Sequence, residues 1–483
     1  MQLIHLQKIA RNFDKLVEIV NKDAKFISQT SEVVLSELSD EVKFFLVEAP
    51  YVDKDYRSIF YSDFSKRHKL FERDVIRVHL YSNNINDDDY SDGYLGFLTL
   101  RNTPGYHFGR SYINPKAISG VEGFIMLSEF ESNILDQTQK IKAFPWMQQD
   151  INISRCAHVA AWCIMRYFGQ RKKPYADLTI GEMAHVVRSE TRKVPSSGLT
   201  MHQIVQLLNE LGFSMEQFKR KIPKLVCEND TRDGPAQGST ESTKVDSNMF
   251  DIIIHLYLES GIPVLCGLSK KLHAITAIGH GKIKDADEYI QENEISTPRV
   301  IDSLQLCSNW ICIDDNHAPY RKIHKKPCLE NGTYSFEDID LIAVPLHDKM
   351  YLTPKDVLSL VAKLCEEKSD VLKTKILIRR VFLTSSNKLK KSSLHIEDLR
   401  YKKYVKHLTL PKFVWVVEYS TPENFKNGLV DYRIVVDSTA TAYDNDAIIY
   451  FQSEWMVENP STERKFPIEK HISQQITGNL EHV

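Results

Sequence analysis

The stretch Gln148-Gln149-Asp150-Ile151-Asn152-Ile153-Ser154-Arg155-Cys156-Ala157-His158-Val159-Ala160-Ala161-Trp162-Cys163, continuing to Tyr167-Phe168-Gly169, decides how the rest of the chain is read. A polar loop gives way to a helix at about Ser154, whose hydroxyl can cap the first free backbone NH groups, and a stop is expected near Gly169. Cys156 then falls in the first helical turn, where unpaired NH groups and the positive end of the helix dipole favour an anion. A thiol there is biased toward thiolate, its reactive form. The same residues also fit an ordinary core helix, because Cys156, Ala160, Cys163 and Tyr167 follow the i, i+4, i+7, i+11 stripe.

A nucleophilic cysteine needs a base to hold its proton and a group to hold the base, and both usually come from distant parts of a chain. Downstream, Gly261-Ile262-Pro263-Val264-Leu265 reads as a helix stop followed by a buried strand. His273-Ala274-Ile275-Thr276-Ala277-Ile278-Gly279 is a β-prone run with His273 at its first position. Trp310-Ile311-Cys312-Ile313 is a third strand, ending in Asp314-Asp315-Asn316. Carboxylates just past an apolar strand commonly line a cleft.

The order Gln, Cys opening a helix, His opening a strand, and Asp ending the next strand resembles the papain-like cysteine peptidases, in particular the bacteriocin-processing (double-glycine leader) peptidases and their stand-alone relatives. The resemblance spans roughly residues 144–345. It implies Cys156 as nucleophile, His273 as general base, Asp314 as the group that orients the imidazole, and Gln149 as oxyanion donor. Gln148 and Asp315 are adjacent alternatives for the last two roles. Two positions depart from the family: its Cys-Gly is Cys156-Ala157 here, and its Asp-Pro is Asp314-Asp315.

Between these points Thr179-Ile180-Gly181-Glu182 and Thr200-Met201-His202-Gln203 both match the capping box. Short helices beside the Cys156 helix, then a sheet carrying the base, fit the two-lobed layout the resemblance implies. The expected fold class is therefore α+β: a papain-like core at residues 136–350, an N-terminal α+β segment at 1–135 and a C-terminal α+β domain at 351–483. Residues 134–145 are expected to be the linker into the core, and the polar stretch 219–248 a mobile surface loop that overhangs the cleft.

At 483 residues the chain is long enough for two or three domains, and its 42% hydrophobic and 26% charged residues are ordinary for a globular protein. A net charge of -2 gives no global pull toward nucleic acid or an anionic membrane. The basic clusters Arg171-Lys172-Lys173, 322–326 and 388–391 lack the interleaved aromatic residues that stack bases. No run of 18 apolar residues occurs and Met1-Gln2-Leu3-Ile4-His5 lacks a signal-peptide pattern, so a cytoplasmic location is expected. The eight cysteines, spread along a long chain, read as reduced thiols.

Cys163, Cys266 and Cys312 sit in apolar contexts and read as core, and Cys307, Cys312, His317 and Cys328 fit no usual zinc spacing. The acidic run from Asp87 to Gly93 fails as a calcium loop because its twelfth position, counted from Asp88, is Thr99 where a bidentate Glu is required. Arg101 and Arg110 flank a turn and read as solvated edge charges or as ligands for a substrate carboxylate. Asp437, at the end of a C-terminal strand, reads as a turn residue.

The expected activity is a thiol peptidase acting on a peptide or protein substrate, with no cofactor or metal called for and with the flanking segments available for a protein partner. A deamidase or acyltransferase on the same residues, and an inactive binding protein on the same fold, are the alternatives.

Overall fold

The computed structural model describes residues 4–20, 29–86, 88–101, 103, 107–149, 156–171, 178–186, 199–221, 242–327, 334–368, 372, 374–441, 443–444, 446–476 and 479–483. Within them helices and strands are mixed in an α+β arrangement built on three large sheets. None of the described helices is long and apolar enough to cross a membrane.

The N-terminal sheet is antiparallel, in the order His5–Ala10, Phe44–Tyr51, Val75–Tyr81, Tyr94–Leu100, Ser111–Ile113, Gln137–Trp146, Ser128–Ile134. Its last two strands correct the expected linker. Ser128–Ile134 and Gln137–Trp146 form a hairpin whose turn is Leu135-Asp136, so a boundary at 135/136 would cut the hairpin in two. The signal was present as strict alternation: Lys140 and Lys142 are exposed while Ile141 and Ala143 are buried. Polar outward residues hid a strand whose inner face is apolar.

The central sheet runs Thr243–Val245, Ser214–Arg220, Leu341–Leu346, Val264–Leu268, His273–His280, Asn309–Ile313, Arg321–His324, Tyr334–Ser335. Every residue of Val264–Leu268 is buried, so that strand is covered on both faces, which is why it reads as an unbroken apolar run. The helices Cys156–Arg171, Met201–Glu210 and Ser247–Glu259 pack on this sheet. Asp246 caps Ser247–Glu259 by accepting the Met249 NH, and Gly261, at φ +69°, turns the chain from it into the strand at Val264. The stretch 219–248 is thus only partly loop: residues 222–241 lie outside the described residues, while Thr243–Val245 pairs in parallel with Phe218 to Arg220.

The C-terminal sheet runs Val300–Asp302, Leu377–Ser385, Phe413–Ser420, Tyr432–Asp437, Ile448–Gln452, Met456–Asn459, Arg464–Pro467. Its first strand comes from inside the expected core and pairs in parallel with Leu377–Ser385. Conversely, Glu481–His482 returns to the central sheet by pairing with Phe124–Ile125, which pairs in turn with Gly279-His280. The three sheets therefore exchange strands, and cuts at 135/136 and 350/351 do not separate them. Thr353 and Asp356 form the capping box that opens the helix Pro354–Glu367, and Asp437 accepts the Thr439 NH in a turn.

Candidate active site

His273 opens its strand directly after Leu272, which is held at φ 49° in the left-handed region, so the chain turns sharply just before the imidazole. The neighbouring strand Asn309–Ile313 runs antiparallel, with Ile313 opposite Thr276. Asp314 and Asp315 therefore leave the sheet at the end where His273 enters it. His273 Nε2 lies 3.0 Å from Asp314 Oδ1 and 3.8 Å from Asp315 Oδ1. The imidazole is 9% exposed, while both carboxylates are buried.

The two aspartates differ in their surroundings. Asp314 Oδ1 also accepts the Asn316 NH at 3.0 Å, and Asp314 Oδ2 accepts the Tyr334 hydroxyl at 3.0 Å. Burial opposes its charge, but His273 and the Asn316 NH outweigh burial and hold the carboxyl below its ordinary value. Asp315 has no hydrogen bond to either carboxylate oxygen among the described residues. Burial, then the charge of Asp314, pushes it up to about 8. The surroundings thus separate two residues that the sequence left adjacent: Asp314 is bonded to His273, Tyr334 and the Asn316 NH, and Asp315 is buried beside it with neither oxygen hydrogen-bonded among the described residues.

Gln148 and Gln149 separate in the same way. Gln148 is 1% exposed; its side-chain oxygen accepts the Phe108 NH at 2.8 Å, and its backbone carbonyl accepts from Arg101 Nη2 at 2.7 Å. Gln149 is half-buried and donates through Nε2 to Asn316 Oδ1 at 2.8 Å, two residues past Asp314. Trp146, at the end of the preceding strand, donates its indole NH to the Asp314 carbonyl at 2.9 Å. The glutamine segment is therefore tied to the aspartate loop.

The helix that begins at Cys156 lies across the His273 strand. Near its carboxyl end the Tyr167 hydroxyl donates to the Gly261 carbonyl at 3.3 Å, and Gly261 leads into Val264, which pairs with Ala277 at the far end of the His273 strand. One turn earlier, buried Cys163 has its thiol pushed up, first by burial and then by the charge of Asp315. The helix amino end therefore points toward the end of the sheet that carries His273 and Asp314. Cys156 is described as the first helical residue; its side chain, together with Ser154, lies outside the described residues.

The helix is buried from Ala157 to Phe168 on every side rather than along one stripe. Asp55, from the N-terminal helix Lys54–Ser62, accepts the Trp162 indole NH and pairs with Arg166, both at 3.1 Å. His158 is also sealed, and burial pushes it down to about 4, so it is a neutral core histidine rather than a rival base.

Arg101 and Arg110 are not edge charges. Arg101 is 1% exposed and bonds the His107, Phe108 and Gln148 carbonyls, while Arg110 pairs with Asp53 at 2.7 Å. Cys163, Cys266 and Cys312 are fully buried as expected, and Cys307 is buried too.

Tyr334, Trp146 and Asn316 were not singled out in the sequence. Tyr334 follows Asp314 by twenty residues on a two-residue strand, and only the parallel pairing of Tyr334 with Ile323 carries it back to the carboxylate. Trp146 did carry a signal, as a tryptophan ending a strand just before the glutamines.

The chain matches no protein-family model, no curated protein and no solved structure in the comparisons made.

Proposed function

We propose that the chain is a thiol hydrolase of papain-like architecture that cleaves peptide bonds, with Cys156 as nucleophile, His273 as general base, Asp314 as its orienting carboxylate and Gln149 as oxyanion donor. The observation that carries this reading is the His273–Asp314 pair: an imidazole at a strand entrance, bonded at Nε2 to an ionised carboxylate that Tyr334 and Asn316 brace. With Nε2 on Asp314, Nδ1 faces the opposite way by the geometry of the ring, and it is the nitrogen that takes the Cys156 proton. The helix dipole at Cys156 and the carboxylate behind His273 both favour the thiolate–imidazolium pair.

The thiolate attacks the scissile carbonyl carbon, and the carbonyl electron pair moves to oxygen. That oxyanion is held by the Cys156 backbone NH and the Gln149 side-chain amide, of which the second is worth roughly 3 kcal/mol in sites of this kind. Imidazolium then gives its proton to the leaving amine as the C–N bond breaks, leaving a thioester. Water, deprotonated by His273, hydrolyses the thioester and restores the thiol. No step calls on a metal or organic cofactor.

Alkylation by iodoacetamide across pH 4 to 9, with the modified residue located by mass spectrometry, tests this reading. Cys156 is expected to react at least tenfold faster at pH 6 than an unperturbed thiol, and Asp314→Asn to remove most of that advantage. A rate at Cys156 no greater than that of free cysteine would sink the proposal. Product mass then fixes the reaction, since hydrolysis of a peptide bond gives two fragments and deamidation leaves one chain about one dalton heavier.

A further inference from the structure

The buried carboxylate of Asp315 takes no part in the chemistry above. It lies at 4% exposure with neither oxygen hydrogen-bonded among the described residues. A carboxyl group sealed from water with neither oxygen hydrogen-bonded is uncommon, and it leaves two donor atoms available to a ligand. Its Oδ1 faces His273 Nε2 at 3.8 Å, and that same nitrogen lies 3.0 Å from Asp314 Oδ1. One ligand atom from each of the three side chains falls within 4.8 Å of the others.

From these positions we propose that His273, Asp314 and Asp315 form a site for a divalent transition-metal ion, matched best by Zn2+, and that the bound ion switches off His273 as an acid–base group. One imidazole nitrogen and two carboxylates are the donor set of Zn2+ rather than of Mg2+ or Ca2+, which take oxygen alone. Zinc bonds of about 2.0–2.2 Å to nitrogen and oxygen, at angles of roughly 90–110°, place neighbouring donor atoms about 3–3.5 Å apart. The observed 3.0 and 3.8 Å from His273 Nε2 to the two aspartates bracket that range, and all three donor atoms lie within 4.8 Å of one another. Tyr334 and the Asn316 NH already hold Asp314 from behind, as the second layer of a metal site does. The small exposure of His273 leaves a way in and an open position on the ion.

The consequence for chemistry follows from the nitrogen used. An ion on Nε2 takes the lone pair there, so the neutral ring carries its proton on Nδ1 and cannot accept another from a thiol. The inhibitory half of the proposal rests on the hydrolase reading, whereas the binding half stands without it.

Calorimetric titration of Zn2+ into the full chain carrying Cys156→Ala, which removes the nearby thiol as a competing ligand, tests binding. One site is expected. Asp315→Asn and Asp314→Asn, each added separately, are expected to weaken it by at least tenfold, with Mg2+ giving no heat in any of them. Visible absorption of the Co2+ form, lost in both variants, is the second readout. Zinc affinity unchanged by both substitutions, or no binding, overturns the site.

In the natural chain Zn2+ is expected to slow alkylation of Cys156 at least tenfold, reversibly with chelator, and Asp315→Asn to abolish that effect. Equal slowing in the variant would place the ion on the thiol and overturn the inhibition. Should Cys156 prove unreactive without any metal, the hydrolase reading fails while the titration still decides the site.

Discussion

Glu259, the last residue of the helix Ser247–Glu259, is buried where the central and C-terminal sheets meet. His280 Nε2 donates to Glu259 Oε1 at 2.7 Å and Arg380 Nε donates to Glu259 Oε2 at 2.8 Å. Arg380 continues to Glu418 at 3.1 Å, and Glu418 to Arg433 at 2.9 Å. Glu259→Gln removes one charge from this buried chain and leaves a single amide oxygen for two donors. Breaking a buried pair from one side typically costs about 3–5 kcal/mol, a large share of the roughly 5–15 kcal/mol that holds a domain folded.

A second readout is pH. Burial opposes charge on His280, but the Cys307 sulfur and the Glu259 carboxylate outweigh it and raise the imidazole to about 10. A histidine raised above its ordinary value contributes stability in full below about pH 6.5, loses roughly 1.4 kcal/mol per pH unit above that, and contributes nothing beyond about pH 10. His255, with its ring centroid 5.3 Å from that of His280, is pushed down to about 3 by burial and by His280, so it stays neutral through this range. Urea unfolding at pH 6.5, 8 and 9.5, followed by fluorescence of the buried Trp310 and Trp415, is the assay. The natural chain should lose stability across the series, and Glu259→Gln should start several kcal/mol lower and show a flatter profile. A loss under about 1 kcal/mol at pH 6.5, or an unchanged pH slope, refutes the reasoning.

Tyr334→Phe removes the donor to Asp314 Oδ2 and leaves a buried acceptor short of a partner. It should lower the alkylation rate of Cys156 at pH 6 about tenfold, equivalent to about 1.4 kcal/mol, and an unaltered rate would mean that Asp314 needs no brace. The two glutamines should part company: Gln148→Ala orphans the Phe108 NH and is expected to destabilise the chain by about 1–3 kcal/mol. Gln149→Ala should leave the melting temperature within a degree or two while slowing hydrolysis by about 10²–10³. Gly279→Ala would drive a Cβ into the Phe124 carbonyl at the irregular pairing with Asn309–Ile313. Backbone atoms cannot step aside there, so soluble expression and thermal midpoint should both fall, and a midpoint within one degree of the natural chain would contradict the packing.

Local rules reach far in this chain because many of its signals are short-range. A capping box needs four residues, so Thr200 announces its helix. Continuous apolar runs bounded by a stop announced the strands at Val264, His273 and Asn309. Placement of His273 at the first position of its strand, and of Asp314 just past the end of the next, was legible for the same reason. The strand Gln137–Trp146 is hidden in the sequence because Thr138, Lys140 and Lys142 face water along its first half, and Arg101 and Arg110 read as exposed because a charge does so until its buried partners are known.

The sequence by itself determined an α+β chain with a helix opening at Cys156 and with a histidine and a pair of aspartates at strand ends. Hydrophobic periodicity and caps are properties of neighbours along the chain, so they survive without coordinates. Tertiary structure alone gave Asp314 and Asp315, and likewise Gln148 and Gln149, different surroundings. Adjacent residues share a sequence context but point in different directions, and only the partners they meet across the fold make Asp314 an ionised carboxylate, Asp315 a sealed acid and Gln148 a structural strut.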